Sequence, residues 1–189
     1  YYRIGGMSPA GSINSSVNEM SNWLITWING GMFNGKQIIP EAYVKEAISS
    51  QAVITGALPN DEFPDMHMLN YGYAWMMSYY KGHYEVEHGG AIDGFRASTA
   101  FYPSDSIGIV ILSNQNGSPI PSMVRKIVAD RMLEAEKTDW LTIHKEKRKE
   151  AQKAKKEVKE TREESITKGP KSVHASIDFI GTYNHPGYG

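Results

Sequence analysis

Four stretches between Tyr71 and Asn114, YGYAWMMSYY, HYEVEH, FRASTAFYP and IGIVILSN, are crowded with β-branched and aromatic residues and lie close together in the chain. A parallel return needs a crossover of about a dozen residues or more, so gaps this short dictate antiparallel neighbours. The breaks fall at Lys81–Gly82, at HGGAIDG and at Ser104–Asp105–Ser106. Ile107 to Leu112 is nearly all apolar, which predicts a central strand covered on both faces.

Helical patterns flank these strands. Ser16 and Glu19 have capping-box spacing. Met20, Trp23, Leu24, Trp27 and Ile28 recur at intervals of three and four, so they share one buried face, and Gly30 and Gly31 end the helix. Core packing is the plainer reading of both tryptophans. NGKQIIP makes a short turn into Pro40, the expected first position of a second helix that runs to about Ser50. Gln51 to Leu69, with Pro59, Pro64 and several acids but no clear period, reads as a long loop. After Asn116–Gly117 a further helix starts near Pro119, with Met123, Ile127, Val128, Met132 and Leu133 as its apolar face.

From His144 to Lys168 lysine and glutamate dominate. Lys153 with Glu157, Lys156 with Glu160 and Lys159 with Glu163 stand at helical neighbour spacing, predicting a solvated helix or helical linker. The interspersed acids would repel the phosphates that its lysines attract, which argues against nucleic acid. Gly169–Pro170 breaks the run; Val173, Ala175 and Ile177 then alternate with polar residues like an opening strand. The expected organisation is therefore a main domain over 1–140, a charged helical linker over 141–170 and the start of a small β domain over 171–189.

Composition narrows the function classes. Twenty Lys and Arg nearly cancel 21 Asp and Glu, so net charge favours neither nucleic acid nor an anionic membrane. The absence of cysteine removes disulfides, thiolate nucleophiles and cysteine-rich zinc sites together. No apolar run approaches the roughly 20 residues of a membrane span, and Tyr1 to Gly6 lacks the apolar core of a secretory signal. His67, His83, His88, His144, His174 and His185 show no metal-ligand spacing. Strand alternation puts Glu85 and Glu87 on one face and His88 on the other, against a shared ion. No cofactor is expected.

HGGAIDGF, residues 88–95, has a structural explanation: glycines permit a bulge or sharp bend, and His88 is a satisfied polar residue at a strand end. Its context adds a second one. PAG, a capped helix, a loop, YGYAW, HGG, a further GF, a strand ending at YP and then GIVILSN follow one another in an order that resembles the C-terminal half of the β-lactamase-related serine hydrolases. That family contains class C β-lactamases, D-alanyl-D-alanine peptidases and related esterases, and the resemblance runs from about Ile4 to Leu133. It implies an α+β fold, an antiparallel sheet packed against helices, and a small-molecule or peptide substrate. A periplasmic or extracellular location follows from the same resemblance.

In that family a strand edge carries Lys-Thr-Gly or His-x-Gly, and His88–Gly89–Gly90 matches the second form. A substrate carbonyl must lie along this edge, where Gly89 and Gly90 leave the backbone approachable. By position Ala91 would supply an oxyanion-stabilising amide. His88 would support the reacting centre by donating a hydrogen bond or carrying positive charge. Asp93 and Arg96 flank the expected cleft and would shape specificity, though an exposed loop ion pair explains them equally. Tyr71, Tyr73 and Trp75 belong in the core or near the cleft.

Two family elements are missing. The nucleophile is the serine of a Ser-x-x-Lys motif at a helix start. Ser165 and Lys168 have that spacing but follow His88 in the charged linker, so they read as coincidence. Ser12-Ile-Asn14 imitates the family's second element, Tyr-x-Asn or Ser-x-Asn, from the wrong side of PAG. The expectation is that both elements precede this chain in a longer protein and that the missing half is needed for activity. A binding or scaffold protein that keeps the hydrolase fold without its nucleophile is the alternative.

Overall fold

The computed structural model describes residues 5–55, 61–168 and 174–187. Its contacts group into two compact units, Tyr1–Thr142 and Ile143–Gly189. In the first, a short 3₁₀ turn (Gly5–Met7) and α1 (Ser8–Gly11) lead to α2 (Val17–Ile28), then a small hairpin, β1 (Met32–Phe33) and β2 (Lys36–Gln37), and α3 (Glu41–Ala47). Six strands follow: β3 (Ala52–Thr55), β4 (Leu69–Tyr71), β5 (Met76–Tyr80), β6 (His83–Ile92), β7 (Phe95–Tyr102) and β8 (Ile107–Ser113). They form one antiparallel sheet in chain order, β3-β4-β5-β6-β7-β8, followed by α4 (Ile120–Met132) and α5 (Trp140–Lys168). The fold is α+β, with the antiparallel order that the short gaps predict.

α2 begins as its sequence dictates. Ser16 accepts from the Glu19 amide, the Glu19 carboxylate accepts from the Ser16 amide, and hydrogen bonding to Ser16 and Ser15 holds that carboxyl below its ordinary value. Its inner face packs Leu24 and Trp27 onto the sheet. Trp23, expected in the same stripe, stays 40% exposed and meets Trp27 edge-on at 5.6 Å. The core against this face combines Leu24, Trp27, Val44, Trp75, Met77, Val86 and Phe101. Trp75 stands T-shaped to both Trp27 (5.4 Å) and Phe101 (5.1 Å).

Several elements differ from the sequence reading. α3 has Pro40 at its N-cap and ends at Ala47, short of Ser50, because the Ala47 carbonyl is taken by the Tyr73 amide and the Gln51 amide by the Tyr71 carbonyl. Gly72 makes that junction possible: a Cβ there would lie 2.0 Å from the Ala47 carbonyl oxygen. Gln51 to Leu69 is not all loop, since Ala52–Thr55 pairs with β4. YGYAWMMSYY is a hairpin rather than one strand, turning at Gly72–Trp75, where the Gly72 amide donates to the Trp75 carbonyl.

β8 differs too: its two faces are covered, by α2 and by α4, but it is the last strand of the sheet and not a central one.

α4 also buries a different stripe. Pro121, Arg125, Ala129 and Asp130 face inward, while Met132 is 56% exposed and Met123, Ile127 and Val128 are half-buried. The charges are tolerated because each is met. Asp130 accepts from the Tyr80 hydroxyl (2.7 Å), Lys81 Nζ (2.6 Å), the Thr138 amide (3.1 Å) and Trp140 Nε1 (2.8 Å). Burial pushes the Asp130 carboxyl up, but these four donors outweigh it and hold the group below its ordinary value of 3.8.

The second unit holds most of α5 and a 3₁₀ turn at Ser176–Phe179. Lys153 Nζ lies 4.0 Å from Glu157 and Lys156 Nζ 3.8 Å from Glu160, both exposed, as the spacing predicts. The Glu163 side chain, and with it the third pair, lies outside the described residues, as do the side chains of Ser165 and Lys168. Val173 is outside them as well. Where alternation predicts a strand, the Ala175 amide donates to the Asp178 carboxylate at 3.0 Å and closes a turn. Among the described residues no helix is long and apolar enough to cross a membrane.

Candidate active site

β6 is the longest strand of the sheet and is paired unevenly. β5 lies against it only from His83 to Glu87, ending with Met76 opposite Glu87. β7 lies against it from Val86 to Ile92. Among the described residues the segment His88–Ile92 is therefore strand-paired on one side only, by β7. The sequence reading breaks the sheet at HGGAIDG; instead the strand continues through it in unbroken register, His88 opposite Thr99, Gly89 opposite Ser98, Gly90 opposite Ala97 and Ala91 opposite Arg96. Only Asp93–Gly94 forms the turn, with Gly94 at φ +83°.

Gly89 and Gly90 are thus neither a bulge nor a bend, and neither has a positive φ. A Cβ on Gly89 would meet the Ala97 carbonyl oxygen at 3.5 Å, and one on Gly90 would meet the Ala97 Cβ at 3.5 Å, both ordinary contacts. The fold of this chain does not demand glycine at either place.

An open cleft of ≈ 400 Å³ runs beside this segment, between the β6–β7 hairpin and the start of α4. His88, Gly89, Gly90, Ala91 and Arg96 all line it. Arg96 is exposed on β7 opposite Ala91. Asp93 is not among the lining residues; it sits exposed at the hairpin turn. Tyr73 and Trp75 lie away from the cleft, Trp75 in the core and Tyr73 donating from its hydroxyl to Glu46 at 2.6 Å.

Each side of His88 is engaged. Its Nδ1 lies 2.6 Å from the Gly89 carbonyl oxygen and its Nε2 3.4 Å from the Tyr71 hydroxyl. The His88 carbonyl accepts from Thr99 Oγ1 at 2.8 Å.

Sequence reasoning missed the charged floor of the cleft. Arg125, 6% exposed, reaches from α4 to Glu87 Oε2 (2.9 Å) and Glu85 Oε1 (3.5 Å), and the Tyr102 hydroxyl donates to Glu85 Oε1 at 2.7 Å. Burial opposes the charge on Arg125, but the Glu85 and Glu87 carboxylates outweigh it and hold the guanidinium above its ordinary value, so it stays charged. Burial, then Glu85, pushes the Tyr102 hydroxyl up, so it stays a neutral donor. The signal lay in the alternation of Glu85 and Glu87 on one face of the strand, flanking the apolar Val86, which places two carboxylates where a cation is needed opposite. Among the described residues no three His, Asp or Glu side chains gather closely enough to hold a metal ion.

Comparison with known proteins agrees with this architecture. A solved structure described as the octameric penicillin-binding protein homologue from Pyrococcus abyssi matches at 20% identity and a TM-score of 0.53, over 65% of this chain and 25% of that one. The penicillin binding protein from Bacillus halodurans matches at 21% identity and a TM-score of 0.39, over 57% of this chain and 28% of that one. This chain thus spans about a quarter of the length of the structures it resembles. No curated protein matches it. The family model described as Beta-lactamase matches residues 1–131, most of the 189-residue chain and the whole of the sheet and cleft, and on that match the chain belongs to the beta-lactamase family.

Proposed function

We propose that this chain is the C-terminal portion of a serine hydrolase that acts on an ester or amide through an acyl-serine intermediate, its Ser-x-x-Lys nucleophile lying on a segment outside this chain. The observation that carries this reading is the pair Gly89–Gly90. Both are extended, both have room for a side chain, and both line the cleft between the β6–β7 hairpin and the start of α4. A glycine that the fold does not need, placed where a substrate would lie along the strand, keeps the backbone open to a close approach.

On this reading the acyl group runs along His88–Ala91, and the Ala91 amide takes one side of the oxyanion as the carbonyl becomes tetrahedral. Gly89 forms the wall of the cleft, and Arg96, opposite Ala91 across the hairpin, meets the substrate's distal end. Asp93, on the turn, tunes the entrance. His88 is a supporting residue and not the nucleophile. The general base and the serine both come from the segment that precedes, so the chain alone has no turnover. Placement outside the cytoplasm is part of the same proposal.

Intact-mass labelling with a fluorophosphonate tests it, comparing this chain with the full-length protein. One adduct on the full-length protein and none on this chain is the expected result. A folded full-length protein that takes no adduct overturns the hydrolase and leaves a binding or scaffold role; an adduct at Ser165 overturns the position of the nucleophile.

A further inference from the structure

The two ring contacts of His88 are not equivalent. A carbonyl oxygen can only accept, so the short contact from Nδ1 to the Gly89 carbonyl requires a proton on Nδ1. In the neutral ring Nε2 is then a bare acceptor, and the group 3.4 Å away is the Tyr71 hydroxyl, which donates to it. Tyr71 comes from the end of β4, two strands away from β6, and its ring is tilted 60° to the imidazole at 6.2 Å. A third bond, from Thr99 Oγ1 to the His88 carbonyl, fixes the peptide on the other side of Gly89.

These bonds bear on the one part of β6 with little to hold it. Two successive glycines lose more conformational freedom on ordering than any other pair, and here β5 has already ended. Building on the hydrolase reading above, we propose that Tyr71 is a positioning residue for the site: its hydroxyl fixes His88 as the Nδ1–H tautomer, and the ring in turn fixes the Gly89–Gly90 peptide plane along which the substrate lies. His88 then works as a strut between β4 and the glycine backbone, with both nitrogens occupied before substrate arrives.

Nitrogen NMR of the histidine-labelled full-length protein, at a pH where the ring is neutral, tests this directly. The wild type is expected to show His88 protonated at Nδ1. In Tyr71→Phe the signal moves toward a mixture of tautomers, and the Gly90 amide exchanges about fivefold faster, the effect of one lost hydrogen bond on local opening. Turnover of an activated ester falls through kcat with KM nearly constant. His88 protonated at Nε2 in the wild type overturns the proposal, a result that needs no variant to fold; so do unchanged His88 signals and Gly90 exchange in a folded Tyr71→Phe. If the NMR and exchange respond but no ester is hydrolysed, the strut stands and the hydrolase reading fails.

Discussion

The two halves of β6 are built on opposite terms. From His83 to Glu87 the strand is paired with β5, Val86 is fully buried, and Glu85 and Glu87 are tied to Arg125 beneath α4. From His88 to Ile92 it is paired only with β7, most of its residues are exposed, and its side chains shrink to glycine, glycine and alanine. One strand thus carries a stabilising segment and an open one in series. The rigid half sets the height and direction of the open half, so the glycines can leave space without losing their place in the sheet.

If that division is right, changes in the first half cost stability and changes in the second cost only turnover. The largest effect is expected from Arg125→Met, which strands the buried carboxylate of Glu85: about 3–5 kcal/mol lost in denaturant unfolding. A loss below about 1 kcal/mol would show that the charges reach water and that the floor of the cleft is not a fixed platform. Val86→Ala follows, at about 1–3 kcal/mol for a truncation with no exposed surface to compensate.

At the closed end of the β5–β6 hairpin, Asp130 gathers Tyr80 and Lys81. Its carboxyl titrates lower in the folded protein than in the unfolded chain, so its contribution is present above pH about 4 and is lost as the pH falls through the folded value. Thermal melts of Asp130→Asn against wild type should therefore differ most near neutrality and converge below about pH 4. Equal differences at all pH values would mean that Asn replaces the carboxylate's role badly for steric reasons alone. The smallest effect belongs to the second half: Gly89→Ala and Gly90→Ala are expected to change stability by less than about 1 kcal/mol in either direction, since both positions have ordinary φ and room for a methyl. The same variants in the full-length protein are expected to lose ester turnover, and a destabilisation as large as that of Val86→Ala would erase the distinction between the halves.

Much of this could be read in the chain. Ser16 and Glu19 cap α2 because a capping box is a local contract between residues three apart. Lys81–Gly82 turns the hairpin, and short gaps leave neighbouring strands no choice but to run antiparallel. The sequence also singles out His88, Gly89, Gly90, Ala91 and Arg96, and all five line one cleft.

What only the tertiary structure decided is everything that depends on a partner distant in sequence. The buried face of α4 follows Arg125 and Asp130 rather than its methionines, because Glu85, Glu87, Tyr80 and Lys81, some 40 to 50 residues earlier, are there to receive them. α3 stops where Tyr73 claims the Ala47 carbonyl, and the strand runs straight through HGG because β7 pairs with it residue by residue. Local pattern sets which residues can be buried or turned; the free energy of pairing a polar group with its distant partner sets which ones are.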